Sequence, residues 1–383
     1  MLNNNKNICK DINCPIQGVP ANAVSIVESV SKEECALALL IEAQADLLCK
    51  AINKCISVCD FKDIINSIIQ TMKTIAIKNN TLENKLRETL NFIQKEGIEC
   101  LDYNRQFELL NSLNSVLECI SKEEDATGHL IEQTGKIIAK VEYCTLDDIK
   151  SVDDSVLTLM RLIIENNFIL DRKLRTLISL INFIKCSEFD IFIKVKKKLL
   201  CTIKKLINSI FAEEKGLALL IHGESEKLHC GLSVCVNRDE ISEISNFISK
   251  IIDVICEKKR ILEYKFSETI DLLNTVGFSS SETDSVTDHI KELQSYALAG
   301  EYELANLIKG KSKNINATIG KECCNYPEII SFNACMTCSL VCLLLNLNVG
   351  RKNRKVIDSC PSGCKNASMC KEINNIIMKL NSL

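Results

Sequence analysis

In the stretch SKEECALALLIEAQADLL, Ser31 to Leu48, apolar residues recur at steps of three and four. Ile26, Val30, Leu37, Leu40, Ile41, Leu47, Leu48 and Ile52 form one stripe, which predicts an amphipathic α-helix. The same text returns as SKEEDATGHLIEQTGKII (Ser121 to Ile138) and FAEEKGLALLIHGESEKL (Phe211 to Leu228), and in worn form as GEYELANLIKGKSKNI (Gly300 to Ile315). Glu33, Glu123 and Glu213 align 90 residues apart, and Glu214 aligns with Glu301, 87 further on. A second helical phrase follows each of the first three copies: LENKLRETLNFI, LDRKLRTLISLI and LEYKFSETIDLL. Lys85, Lys173 and Lys265 register these, 88 and 92 residues apart. One unit is therefore a pair of helices, A then B, and a fixed period of this length marks a repeat array.

Local start signals support the division. Ser57 with Asp60, Thr145 with Asp148 and Asn237 with Glu240 each place a capping acceptor three residues before a carboxylate, at the head of a B helix. The acid also complements the positive end of the helix dipole. Ser187 with Asp190 and Ser281 with Asp284 offer the same device where the third and fourth A helices begin. From Ser57 to Ile93 there is no Pro or Gly, so that B helix can run about 55 Å at about 1.5 Å per residue.

The expected fold is all-α: long antiparallel hairpins of about 90 residues per repeat, three and a half copies, with seven long helices before Gly320. The divisions are a Cys-containing tail (1–20), repeats at 21–100, 101–186 and 187–278, a half repeat at 279–320 and a Cys-rich segment at 321–383.

Composition sharpens this picture. Four Pro and 13 Gly in 383 residues are few, and Trp is absent, as long helices with short turns require. A net charge of −3 supplies no basic footprint for nucleic acid. The basic run KVKKKLLCTIKK, Lys194 to Lys205, reads as the solvated face of a helix. The opening MLNNNKNICKDINCP lacks the apolar core of a signal peptide. The most apolar run, Met336 to Val349, is too short to span a bilayer. These features place synthesis in a cytoplasm, yet the chain carries 22 Cys, a number that a reducing compartment seldom favours.

Catalytic chemistry finds no frame. A di-metal carboxylate bundle needs Glu-x-x-His on two helices, and Glu226 with His229 is a single such pair. His129 and His222 stand on A helices without registered partners. There is no Gly-x-Ser-x-Gly, no phosphate loop and no Cys framed by a His. The paired acids flank an apolar stripe, and Glu33 lies level with Asn79 and Asn80 of the neighbouring B helix, as the later acids do with Asn167 and Lys259. Polar contacts of a structural kind are expected there. No enzyme, no cofactor and no metal is expected.

The cysteines cluster at hairpin ends. Cys49, Cys55 and Cys59 surround the first A-to-B turn, Cys144 the second, Cys230 and Cys235 the third; Cys100 and Cys186 mark the opposite ends, and Cys9 and Cys14 the N-terminal tail. Cys35, Cys119, Cys201 and Cys256 fall inside helices, where a lone Cys reads as a small apolar residue. Eight more lie beyond Gly320: Cys323, Cys324, Cys335, Cys338, Cys342, Cys360, Cys364 and Cys370. Cys335-x-x-Cys338 with Cys360-x-x-x-Cys364 has the look of a four-thiolate zinc frame, but the surplus of thiols fits disulfides better. All except the four helical cysteines are candidates for cross-linking, and spacing does not reveal the pairs.

The repeated EE-x-ALA-x-LI-x-A text resembles helical segments of spore-associated proteins of Bacillus and Clostridium relatives. With its Lys-, Asn- and Ile-rich usage and dense Cys, the chain is similar to the cysteine-rich exosporium proteins of clostridia. That resemblance implies a structural protein that self-assembles with copies of itself, and with other spore-surface proteins, into a disulfide-cross-linked two-dimensional lattice. Such a lattice would serve as a permeability barrier in the exosporium or coat, with no membrane span. The contrasting reading is a cytoplasmic helical-repeat scaffold that binds a partner protein and carries a zinc-bound tail.

Overall fold

The computed structural model describes residues 19–53, 57–96, 101–143, 145–187, 189–234 and 238–291, with 293, 302–303, 306–307 and 309–310 beyond them. Six long helices fill these stretches: α1 (Val19–Ile52), α2 (Val58–Glu96), α3 (Tyr103–Ile138), α4 (Leu146–Ser187), α5 (Phe189–Val234) and α6 (Arg238–Val276). A seventh helix, α7, covers 280–291, and the described residues from 302 to 310 are helical as well. No strand occurs among the described residues. The all-α repeat array expected from the periodicity is what the chain forms.

The caps explain where these helices start. Asp60 N–H donates to Ser57 Oγ at 3.1 Å and Ser57 N–H to Asp60 Oδ2 at 3.3 Å, a closed capping box at the head of α2. Thr145 and Asp148 do the same for α4 at 3.1 and 2.9 Å. Asp102 caps α3 by accepting from Arg105 N–H at 2.9 Å, a cap not expected from the sequence. The box expected at Ser281 and Asp284 forms two residues earlier, where Ser279 N–H donates to Glu282 Oε2 at 2.8 Å. Gly277, at φ +71°, decides that placement: it ends α6 in the left-handed region open to glycine, and α7 must start at once. Asn237, and the side chains of Glu240, Ser187 and Asp190, lie outside the described residues.

The helices pack in two layers. One holds α1, α3, α5 and the helical residues of 280–310; the other holds α2, α4 and α6. Neighbours within a layer run parallel, because their contacts keep a near-constant offset along the chain. Ser31 meets Ser115, Cys35 meets Cys119 and Glu42 meets His129, 84 to 87 residues apart. Lys204 and Asn208 of α5 then meet Ser285 and His289 of α7, each 81 apart. The basic run lies along this seam: Lys198 donates to Asn111 and Lys205 to Glu118, so its lysines stitch helices together from the solvated side.

The approach of α3 to α5 is close enough to need glycine. Gly128 and Gly135 on α3 face Gly216 and Gly223 on α5. A Cβ on Gly135 would lie 2.3 Å from the Leu219 carbonyl oxygen, and one on Gly223 2.4 Å from the Gly135 oxygen. Both obstacles are backbone, so no side chain can swing away. Gly135→Ala should therefore push the helices apart and lower stability by ~1–3 kcal/mol, the usual cost of overpacking. Urea unfolding followed by circular dichroism measures this, and an unchanged midpoint would contradict the contact.

Candidate functional site

Between the two layers runs a ladder of buried charge that divides the apolar core in two. One apolar cluster lies on the A-to-B turn side, around Ile41, Ile68, Leu130 and Ile163; the other lies on the opposite side, around Val27, Leu86, Leu117 and Leu177. The paired acids of the repeat sit between them. Glu34, Glu123, Glu124 and Glu213, with Lys173, Lys258 and Lys265, are each 1 % exposed or less. The expectation that these acids merely flank an apolar stripe is therefore corrected: four of the five on α1, α3 and α5 up to Glu213 face inward, and the second acid of one unit is used by the next.

The pairing crosses repeats. Lys173 on α4 reaches back to Glu34 on α1 and donates to Asn79 Oδ1 at 2.5 Å. Its counterpart Lys265 on α6 reaches back to Glu124 on α3 at 2.6 Å. Glu123 accepts from Asn79 Nδ2 at 2.5 Å and Asn166 Nδ2 at 2.9 Å. Glu213 accepts from Asn167 Nδ2 at 3.0 Å and pairs with Lys258. Glu33, expected level with Asn79 and Asn80, pairs instead with the adjacent Lys78 and with Lys85. Asn79 is taken instead by Glu123 of the second repeat, between the layers.

Burial governs how these groups titrate. It pushes Glu34 up to about 7 against the pull of Lys173. It raises Glu123 and Glu213 in the same direction, opposed by Lys173 and Lys258 respectively. Burial draws Lys258 down to about 8, while for Lys265 it is outweighed by the facing Glu124 and Glu213, which hold the ammonium above its usual range. A second buried cluster lies nearer the third hairpin end, where Lys227 pairs with Asp153 and, at 2.5 Å, with Glu224. Burial raises Glu224 to about 7 there.

The histidines that lacked registered partners have them. His129 Nδ1 lies 2.8 Å from Glu42 Oε1, and His222 Nδ1 lies 2.9 Å from Glu303 Oε2, each bridging neighbouring helices of one layer. Glu42, Asp46 and His129 also bring three potential ligand atoms within 4.8 Å of one another. His229 lies outside the described side chains, so the Glu226–His229 pair is not placed.

The cysteines divide differently from expectation. Cys35 and Cys119, read as lone apolar residues, form a disulfide that joins α1 to α3 across 84 residues of chain. A closed loop of that length stabilises the fold by roughly 4–5 kcal/mol in the chain-entropy account. Cys49 is half-buried and Cys59 exposed at one hairpin end; Cys201 is exposed in the first third of α5, and Cys256 is buried. Cys9, Cys14, Cys55, Cys100, Cys144, Cys235 and all eight cysteines beyond Gly320 lie outside the described residues, as do the side chains of Cys186 and Cys230.

The unit that this ladder links is a known one. A family model described as an alpha-helical endospore appendage domain matches residues 21–93, 109–181 and 200–273, more than half of the chain. The chain belongs to that family. Each match spans one A helix and one B helix, so the three appendage domains are the three hairpins α1–α2, α3–α4 and α5–α6. It is a spore-associated structural repeat protein. No curated protein matches it. Among solved structures, a chain described as "Computational Design of Self-Assembling Cyclic Protein Homooligomers" is similar at 11% identity over 74% of this chain and 98% of its own, with a TM-score of 0.17. Among the described residues, no helix is long and apolar enough to cross a membrane.

The buried acids of the appendage domains give a pH signature. A carboxyl whose folded value is raised stabilises most below its unfolded value of about 4.5, and that contribution is lost as pH climbs through the folded value of about 7. The stability of the wild type relative to Glu34→Gln should therefore fall by on the order of 3 kcal/mol between pH 4.5 and pH 8. Urea unfolding of both proteins at those two pH values checks it, and a difference that does not move with pH would show that Glu34 titrates as a solvated acid.

Proposed function

We propose that this chain is a self-assembling structural subunit of the spore surface, joined to copies of itself in extended arrays and locked there by disulfides. The observation that carries this reading is the row of three appendage domains stacked side by side, with no further repeat against the first among the described residues. A stack whose units repeat by translation has two unlike ends and does not close on itself, so contacts between copies extend rather than terminate. The role is mechanical, not enzymatic: the buried carboxylates are engaged with lysines and amides of neighbouring repeats.

The form of the array follows from the number of contact surfaces. End-to-end contacts alone give a filament, which suits an appendage. Lateral contacts between hairpin tips would widen it into the two-dimensional exosporium or coat lattice that serves as a permeability barrier, and cysteines at both rows of tips favour that second form. Spore-surface partners would join through the same thiols. A scaffold with a zinc-bound tail is the reading that this proposal opposes.

Protein purified under oxidising conditions should form extended arrays that survive boiling in detergent and fall apart when thiol is added, since a disulfide yields to reductant but not to dilution. Replacing Cys55, Cys144 and Cys235 with Ser should leave helix content unchanged and weaken that resistance. Replacing Cys35 and Cys119 should lower the stability of the single chain without changing the cross-linked ladder on a non-reducing gel. A stable oxidised monomer carrying stoichiometric zinc would refute the proposal and favour the scaffold.

A further inference from the structure

The first repeat ends in a face that every later repeat buries. Ile26, Leu40 and Leu47 on the outer side of α1 are 40–41 % exposed. Their counterparts 90 residues on, Val116, Leu130 and Ile137, are fully buried, and so are Leu206, Leu220 and Lys227 another 90 on. The ladder residues follow the same rule. The Lys85 side chain is 40 % exposed, where Lys173 and Lys265 are 0 % and 1 %. What covers these positions inside the chain is the repeat before; the first repeat has none among the described residues. A groove of about 690 Å³ runs between α1 and α2 at this end, lined by Ile26, Ser29, Lys85 and Phe92 among others.

Repeat arrays that stay single carry polar capping faces at their ends. This end presents Ile26, Leu40 and Leu47 with Lys78, Lys85, Glu33 and Glu88 beside them, an interior interface without a covering repeat among the described residues. We propose that the outer face of α1 and α2 is the docking surface for a second copy of this chain, which sets its last repeat on the first. Two copies meeting by their first repeats would set like faces together, whereas inside the chain this side of a repeat meets the unlike far side of the repeat before. Such a pairing would also bring Lys78 and Lys85, which already share Glu33, against the same residues. The opposite end suits them better, because residues 279–310 carry six carboxylates against two lysines. The contact is head-to-tail, it reproduces the spacing within the chain, and it leaves the same face open on each copy added. This inference rests on the self-assembly reading and names the first of its contacts.

Sedimentation velocity of the full chain in the presence of reductant, across a range of concentrations, tests it apart from the disulfides. Wild type should grow with concentration. Leu40→Glu with Leu47→Glu should remain a single chain at concentrations at least tenfold above those at which wild type assembles. Ile77→Glu, at a residue of α2 that is 72 % exposed and whose counterparts Glu165 and Glu257 stay exposed in the later repeats, should assemble as wild type does. Circular dichroism of all three should coincide, since the replaced side chains lie partly in solvent. Wild-type assembly that the Leu40 and Leu47 changes leave untouched would overturn this inference and leave the self-assembly reading standing. A wild type that never assembles, reduced or oxidised, would overturn both.

Discussion

A lysine buried between helix layers has to meet a carboxylate, and at two rungs of this protein's ladder it meets one that belongs to the preceding repeat. Lys173 depends on Glu34 and Lys265 on Glu124. An ion pair of this kind adds little net stability over a well-packed apolar pair, because desolvation offsets most of the attraction. Its force lies in what happens when it is broken, since a stranded charge costs far more than the pair contributes. Parallel helices with apolar stripes could slide past one another by a turn with modest loss. With the ladder in place, such a slip would leave several buried charges without partners at once. The ladder thus fixes the register of one repeat on the next, and the backbone contacts at Gly135 and Gly223 fix the distance.

Most of the fold was legible because its signals are local. The apolar period, the scarcity of breakers and the boxes at Ser57 and Thr145 each act within a few residues. The start of the fourth A helix was misplaced because Ser279 with Glu282 and Ser281 with Asp284 are equally good boxes, and only the left-handed Gly277 separates them. The burial of the acids was not legible. A Glu pair beside an apolar stripe has the same local pattern whether it faces water or a lysine on another repeat, and the lysine that meets Glu34 lies 139 residues away. One signal was present: Lys85, Lys173 and Lys265 keep step with the acids through the array, which a solvated residue has no reason to do.

The Cys35–Cys119 bond shows a different limit. Repeat alignment sets Cys35 against Asp125 and Cys119 against Ser29, so neither cysteine has a counterpart and the period gives no hint of the pair. They meet because neighbouring A helices touch at an offset of 84 to 87 residues, a little less than the repeat spacing of 90. Lateral contact follows helix geometry, whereas alignment follows the sequence period, and the two differ by the stagger of the stack. A disulfide along this seam joins the first repeat, which has a neighbour on one side only among the described residues, to the second. It strengthens the array where nearest-neighbour support is weakest.

In a stack of this kind stability is approximately a sum of unit terms and nearest-neighbour interface terms. An array of three and a half units loses a large share of its possible interfaces to its two ends, far more than a long one would. Adding a copy end-to-end restores one interface per junction, built from the same residue types that hold the chain together inside. Under the proposed assembly, association and folding would draw on one set of interactions, with the ladder setting register within the chain and the part-exposed Lys85 offering it to the next. Growth limited to that axis is reversible, since each junction can dissociate as it formed. Cys49 and Cys59 lie at a hairpin end, off that axis, where intermolecular bonds would tie neighbouring stacks of the proposed array and make it permanent. In the proposed array the two chemistries would act in perpendicular directions: non-covalent repeats would define the line, and thiols would decide whether lines remain separate or become a sheet.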